Sequence, residues 1–237
     1  MPNGFRAHKK NYMDGMKLRA RASVVGAMCA AGAMTGSAAA GDLDAAFDIM
    51  RNGERVGYHV VQARETPEGL AVETRIEIKV KFGPLPLYRY RHVAMEIWRD
   101  GEVQWISSRT NDNGERAFLE ARRENGVLIV DGAAFQGPAP TEAMPASYWN
   151  RAVVSARTVL NTQNGEIINV ETSALGAGAA PYGGEGEHYH VVGTVALNVW
   201  YDGDDWIGFD CVVDGEELTY RRVDSIDERQ RLLAMLD

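Results

Sequence analysis

PLYRYRHVAMEIWRDGEVQWISSRTNDNGER, residues 86–116, is the stretch whose reading decides the fold. Two alternating runs flank Asp100-Gly101, and Asp-Gly between such runs marks a β-hairpin, because a type I′ turn needs positive φ at both central residues. A two-residue turn sets Arg99 opposite Glu102, Trp98 opposite Val103 and Ile97 opposite Gln104. Side chains alternate across a strand, so this register sorts the hairpin into two faces. One carries Tyr88, Tyr90, His92, Ala94, Glu96 and Trp98, opposite Val103, Trp105, Ser107, Arg109 and Asn111. The other carries Val93, Met95 and Ile97 with Ile106, and reads as ordinary core. The first face mixes rings with ionisable groups and puts His92 across from Arg109. Buried charge must be paired, so that mixture fits a concave, partly wet surface.

Outward from the hairpin the pattern stays β. Ala45 to Arg51 and Arg55 to Arg64 flank a turn at Asn52-Gly53. Leu70 to Phe82 alternates cleanly, with Leu70, Val72, Thr74, Ile76, Ile78 and Val80 on one side and Glu73, Arg75, Glu77 and Lys79 on the other. Such alternation belongs to an antiparallel sheet with one dry and one solvated face. Turn signals recur about every ten residues through Asp131, the spacing of a meander. Residues 132–147 hold Pro138, Pro140 and Pro145 and read as a loop. Pro145 then opens an expected short helix over 146–160. Residues 174–186, rich in Gly and Ala, read as a flexible connector. Four more strands follow between His188 and Val223. Ser225 and Glu228 form a capping box ahead of an apolar stripe, Ile226, Leu232, Leu233 and Leu236, which predicts a C-terminal helix. The expected fold is mainly β: a large curved antiparallel sheet or half-barrel, with a short helix in a mid-chain insertion and a helix at the C-terminus.

The N-terminus has the form of an export signal. Lys17, Arg19 and Arg21 precede an uncharged run, Ser23 to Ala40, that ends Ala38-Ala39-Ala40, so cleavage is expected near Ala40. This divides the chain into a signal peptide, 1–40, and one antiparallel β domain, 41–237, expected in the periplasm. The first 40 residues hold six Lys+Arg and one Asp, so their removal takes the formal charge from −8 to −13. So acidic a chain excludes nucleic acid and a stably bound anionic membrane as partners. It also leaves Cys211 alone, without an internal disulfide partner.

Candidate chemistry is sparse. No nucleophile motif such as G-x-S-x-G or H-E-x-x-H occurs, and no cofactor is implied. His188 and His190 share a strand face in H-Y-H, but no Glu follows at the spacing that metal-binding jelly rolls use, so no metal is assigned. Glu96 with His92 and Arg109 is the best acid/base constellation, and a buried or half-buried salt-bridge network is the better reading of it. A long antiparallel sheet must curl, and its concave side must be filled by side chains, helices or a ligand. The ligand-binding candidates are therefore Tyr90, His92, Glu96, Trp98, Trp105, Arg109, Asn111, Tyr148, Trp149, His188, His190 and Trp200.

YRYRHVAMEIWRDGEVQWISSRTNDNG, with SYWN at 147–150, LNTQNGEI at 160–167 and NVWYD at 198–202, resembles an uncharacterised family of secreted proteobacterial proteins, a domain of unknown function. The chain is also distantly similar to periplasmic half-barrels that carry lipoproteins and lipids. That resemblance implies a non-enzymatic binding or carrier protein for an apolar or amphipathic small molecule. The alternatives are a hydrolase or isomerase built on Glu96, His92 and Arg109, and a structural interaction module of the envelope.

Overall fold

At Asn52-Gly53, Asp100-Gly101, Asn113-Gly114 and Asn125-Gly126 both residues adopt positive φ, the pair of left-handed conformations that a two-residue hairpin requires. These turns fold the first half of the chain into a meander. The computed structural model describes residues 45–82, 85–213 and 215–224. The meander consists of β1 (Ala45–Arg51), β2 (Glu54–Thr66), β3 (Gly69–Phe82), β4 (Leu85–Arg99), β5 (Glu102–Asp112), β6 (Glu115–Glu124), β7 (Val127–Gly132) and β8 (Gln136–Pro138). Residues 139–170 follow as a strap with three short strands, β9 (Met144–Pro145), β10 (Thr158–Leu160) and β11 (Ile167–Asn169). The chain then returns to the large sheet in β12 (Glu171–Ala179), β13 (Glu185–Val192), β14 (Ala196–Asp202), β15 (Asp205–Val213) and β16 (Glu216–Arg222).

The sheet has thirteen strands in the order β12-β13-β14-β15-β16-β1-β2-β3-β4-β5-β6-β7-β8 and is not closed into a barrel. All its pairings are antiparallel, and β1 pairs with β16, so the first and last described strands lie side by side in the middle. This order fixes the path of the strap. It joins β8 to β12, the two opposite edges, and must cross one whole face. It crosses the apolar one, hereafter the inner face. Phe47, Ile49, Val61, Val72, Ile76 and Ile106 of the sheet bury themselves there against Val153, Val159, Leu160 and Ile168 of the strap. The strap lies close: a Cβ on Gly132 would stand 2.7 Å from the Asn164 carbonyl oxygen, so β7 must carry glycine where residue 164 passes. The outer face is polar, with ion pairs such as Arg75–Glu73 and Lys79–Glu77.

Three expectations are overturned. The hairpin register holds only for Arg99–Glu102 and Trp98–Val103, and then slips by one residue, so that Ile97 pairs with Trp105 and His92 with Thr110. Gln104 is the extra residue of a β-bulge, which lets Val103 and Ile106 both point inward. The bulge exchanges the faces of β5, sending Trp105, Ser107, Arg109 and Asn111 outward. Val93, Met95 and Ile97, expected as core, are half-buried on the outer face. The helix expected over 146–160 shrinks to one 3-10 turn, Arg151–Ser155, capped by the Asn150 side chain, whose Oδ1 accepts from the Ala152 N–H. Val153, Val154, Thr158 and Val159 are β-branched and poor helix formers. Val159 and Leu160 pair instead with Met144 and Pro145 on one side and with Ile168 and Ile167 on the other. The stretch read as a connector supplies edge strand β12, because Gly and Ala, weak in strand propensity, are held by pairing along β13. The expected C-terminal helix and the export signal lie outside the described residues.

Candidate functional site

Alternation along β2, β3 and β4 sets His59, Thr74 and His92, with Glu96, on the inner face among apolar neighbours. The strap passes over them and encloses a cavity of about 20 Å3, room for a water molecule and little more. His59, Thr74, His92 and Glu96 form its polar floor, and Ser147 and Thr162 of the strap form part of its roof. Aromatic rings wall one side: Phe209 lies 4.7 Å from Tyr220 and Tyr148 4.9 Å from Phe209, between ring centroids, and Phe47, outside the lining, backs Trp206 at 4.3 Å.

Glu96 is the anchor of the strap. Its residue is 1% exposed. One carboxylate oxygen accepts the Ser147 hydroxyl and the other accepts the Trp98 indole N–H at 2.7 Å. Burial raises the pKa of Glu96, and the donors Ser147 and Trp98, with Trp149 beside them, oppose that rise. Trp149 stands edge-on to Trp98, with centroids 5.4 Å apart, and its own Nε1 is buried without a hydrogen bond of normal geometry. Further along, Ser108 donates to the Thr162 carbonyl, Thr110 to the Gln163 carbonyl and Tyr201 to the Tyr148 carbonyl. These four hydroxyl bonds tie strap to sheet through side chains. No β-ladder joins the two sheets.

Burial keeps His59 and His92 neutral at pH 7. Burial lowers His92 to about 4, and burial with the neighbouring His92 lowers His59 to about 3. Thr110 Oγ1 lies 3.0 Å from the Gln163 carbonyl oxygen and 3.0 Å from His92 Nδ1. The hydroxyl has one proton and a carbonyl can only accept, so the Thr110 proton goes to Gln163 and His92 Nδ1 carries its own. His92 Nε2 is then a bare acceptor. His59 packs edge-on to Trp206 at 5.1 Å and to Tyr220 at 5.8 Å. Both His59 ring nitrogens and the Tyr220 hydroxyl are buried without a hydrogen-bond partner among the described residues.

Of the twelve residues expected at a ligand site, His92, Glu96, Tyr148 and Trp149 line this cavity, and Trp98 supports it through Glu96. Tyr90 is buried on the same face but outside the cavity lining. The other six lie apart. Arg109 is on the outer face, its side chain 65% exposed, paired with Glu120 at 2.7 Å and stacked over Phe118. The constellation of Glu96, His92 and Arg109 therefore does not assemble. Trp105 shares the outer face, and Asn111 serves the turn by accepting the Gly114 N–H at 2.8 Å. His188 and His190 also face outward, both bonded to Asn198 Oδ1, whose amide donates to Asp210. His188 stacks on Trp200 with centroids 4.3 Å apart. Among the described residues no group of three or more His, Cys, Asp or Glu is placed to hold a metal ion.

The reading from sequence missed Ser147, Thr162 and Tyr220, and gave His59 no place at the ligand site. Strand alternation already marked His59, a polar residue in register with Gly57, Val61 and Ala63. The strap residues carried no such signal, since their position depends on which edges the strap connects.

No curated protein matches the sequence. Among solved structures the chain is similar to a beta-barrel-like protein of the domain of unknown function DUF1849 from Brucella abortus. The two share 10% identity with a TM-score of 0.49, over 76% of this chain and 94% of that one. Residues 47–223, nearly all of the described sheet, match the model of the domain of unknown function DUF6134, and the chain belongs to that family.

Proposed function

We propose that the protein is an exported, non-enzymatic binding or carrier protein of the periplasm, whose amphipathic ligand occupies the inner face of the sheet in place of the strap. One observation carries this reading: the inner face buries His59 with both ring nitrogens unpartnered, beside a cavity floored by His92 and Glu96. A buried polar group without a partner costs about 1–3 kcal/mol, and an apolar residue at position 59 would avoid it. A fold shaped for stability alone has no use for that arrangement. A ligand that supplies the missing partners does.

The closed cavity is far too small for a lipid, so entry requires the strap to move. The strap is suited to that. It is held to the sheet by the side chains of Glu96, Ser108, Thr110 and Tyr201, by Arg151 on Glu187, Tyr189 and the Gly203 carbonyl, and by the Ala134 N–H on the Asn164 carbonyl, so leaving breaks no strand pairing of the large sheet. Its departure uncovers Trp206, Phe209, Val61 and Ile76 beside the polar floor, an apolar trough with one wet strip. The export signal and the acidic remainder suit a carrier that does not stay on anionic membrane.

Native mass spectrometry of the protein purified from a periplasmic fraction tests the proposal. A co-purified amphiphile, lost when the protein is extracted with organic solvent and regained on incubation with envelope lipid, is the expected result. Protein that arrives empty and takes up neither lipid nor a neutral fluorescent amphiphile would refute it.

A further inference from the structure

The donors and acceptors around the cavity can be counted, and the count restricts the polar end of the ligand. On the acceptor side, His92 Nε2 is bare because its Nδ1 carries the proton. A neutral His59 offers one further bare nitrogen in either tautomer. Each Glu96 oxygen holds one protein donor and has a second lone pair. On the donor side stand the other His59 nitrogen, the Tyr220 hydroxyl and the Trp149 indole N–H, none with a hydrogen bond of normal geometry among the described residues. Among the described residues no Lys or Arg lines the cavity.

We infer that the ligand presents an uncharged hydroxyl head to His59, His92 and Tyr220, as a monoacylglycerol or a long-chain alcohol does. This rests on the carrier reading above and adds its head-group chemistry. A hydroxyl donates one bond and accepts up to two, so it finds partners in both halves of the count. A carboxylate or phosphate only accepts. It would meet the His92 lone pair and the Glu96 carboxyl with no cation to neutralise it, and burying such a charge unpaired is prohibitive. An ammonium only donates. It would satisfy Glu96, His92 and the Tyr220 oxygen but leave the His59 and Trp149 N–H groups without an acceptor, and would lose more hydration than a hydroxyl on entering. The aromatic wall of Trp206, Phe209 and Tyr148 takes the hydrocarbon.

The test uses the full, delipidated protein at pH 7.5 and three probes of one chain length, monodecanoylglycerol, decanoate and decylammonium, each below its micellar concentration. Each displaces N-phenyl-1-naphthylamine, a neutral fluorescent reporter. Monodecanoylglycerol is expected to bind at least about tenfold more tightly than either charged probe, the factor that one well-made buried hydrogen bond supplies. Decanoate or decylammonium binding as tightly as the monoglyceride, or more so, would overturn the head-group assignment and leave the carrier reading standing. Failure of the reporter and all three probes to bind would overturn both. In His59→Phe, read only as the ratio between the probes, the preference for the hydroxyl head is expected to fall severalfold, and an unchanged ratio also counts against the assignment.

Discussion

Lowering the pH from 8 to 5 is expected to remove about 4 kcal/mol of folding stability through His59 and His92 alone. Both imidazoles ordinarily titrate at 6.5, and burial brings them to about 3 and about 4 in the folded protein. Below 6.5 the unfolded chain takes up two protons that the native chain refuses. Stability therefore falls as pH falls, the loss running from about pH 7 down to the native values. At pH 5 an unfolded imidazole is almost fully protonated and its folded counterpart almost wholly neutral, so each contributes about 2 kcal/mol. Glu96 works in the opposite direction. Its pKa is raised in the folded state, so the native protein binds that proton more readily and recovers part of the loss on acidification. The informative measurement is a difference. Urea unfolding of wild type and His59→Phe at pH 8 and pH 5 shares every other titrating group, and the variant is expected to lose about 2 kcal/mol less between the two. With a urea dependence of about 2 kcal/mol per molar, that is about 1 M in the unfolding midpoint. Equal pH dependence in the two proteins would mean that His59 is protonated or solvated when folded, and the case for a buried, unpartnered imidazole would fail.

Arg109→Ala is expected to change stability by under about 1 kcal/mol, because its partner Glu120 lies on the solvated face, and to add strictly with Glu96→Gln in denaturant unfolding; coupling above about 1 kcal/mol would return Arg109 to the inner face. Ser108→Ala combined with Thr110→Val strands two strap carbonyls, and amide hydrogen exchange is expected to rise in residues 158–166 while β3 and β4 keep their protection. Cys211 is buried, and burial pushes its thiol up to about 12, so a disulfide reagent is expected to modify it only in denaturant; fast reaction in the native protein would contradict its burial.

The strands were legible because alternation reports directly on a sheet with one dry face, as Leu70 to Val80 shows, and because four Asx-Gly pairs named their turns. Which residues share the site was less legible. A single bulge at Gln104 moved Arg109 and Trp105 to the far side, and nothing local distinguishes a two-residue hairpin that continues in register from one that slips. His92 and Glu96 survived the slip because β4 keeps its own alternation whichever partner faces it. The strap was misread for another reason. Pro145 looks like the first residue of a helix, yet the burial of Tyr148, Val153 and Leu160 is set by the inner face of a sheet built from residues as distant as Tyr201. Likewise the glycines and alanines of β12 have little strand preference of their own, and β13 supplies it.

The pairing of β1 with β16 has a consequence for the order in which the chain becomes a protein. Asp48 of β1 binds Arg221 of β16 across 173 residues of sequence. As synthesis proceeds, β1 to β8 can zip together from short turns, but Phe47 and Ile49 border an edge without its neighbour until the last strand has emerged. Nor can the strap settle before then, since its far end leads into strands not yet made and Tyr148 packs on Phe209. Closing contacts of such separation is slow compared with forming hairpins. A chain of this topology thus holds its apolar surface incomplete until β16 is in place, and truncation anywhere before β16 leaves a sticky, half-built sheet in place of a smaller stable one.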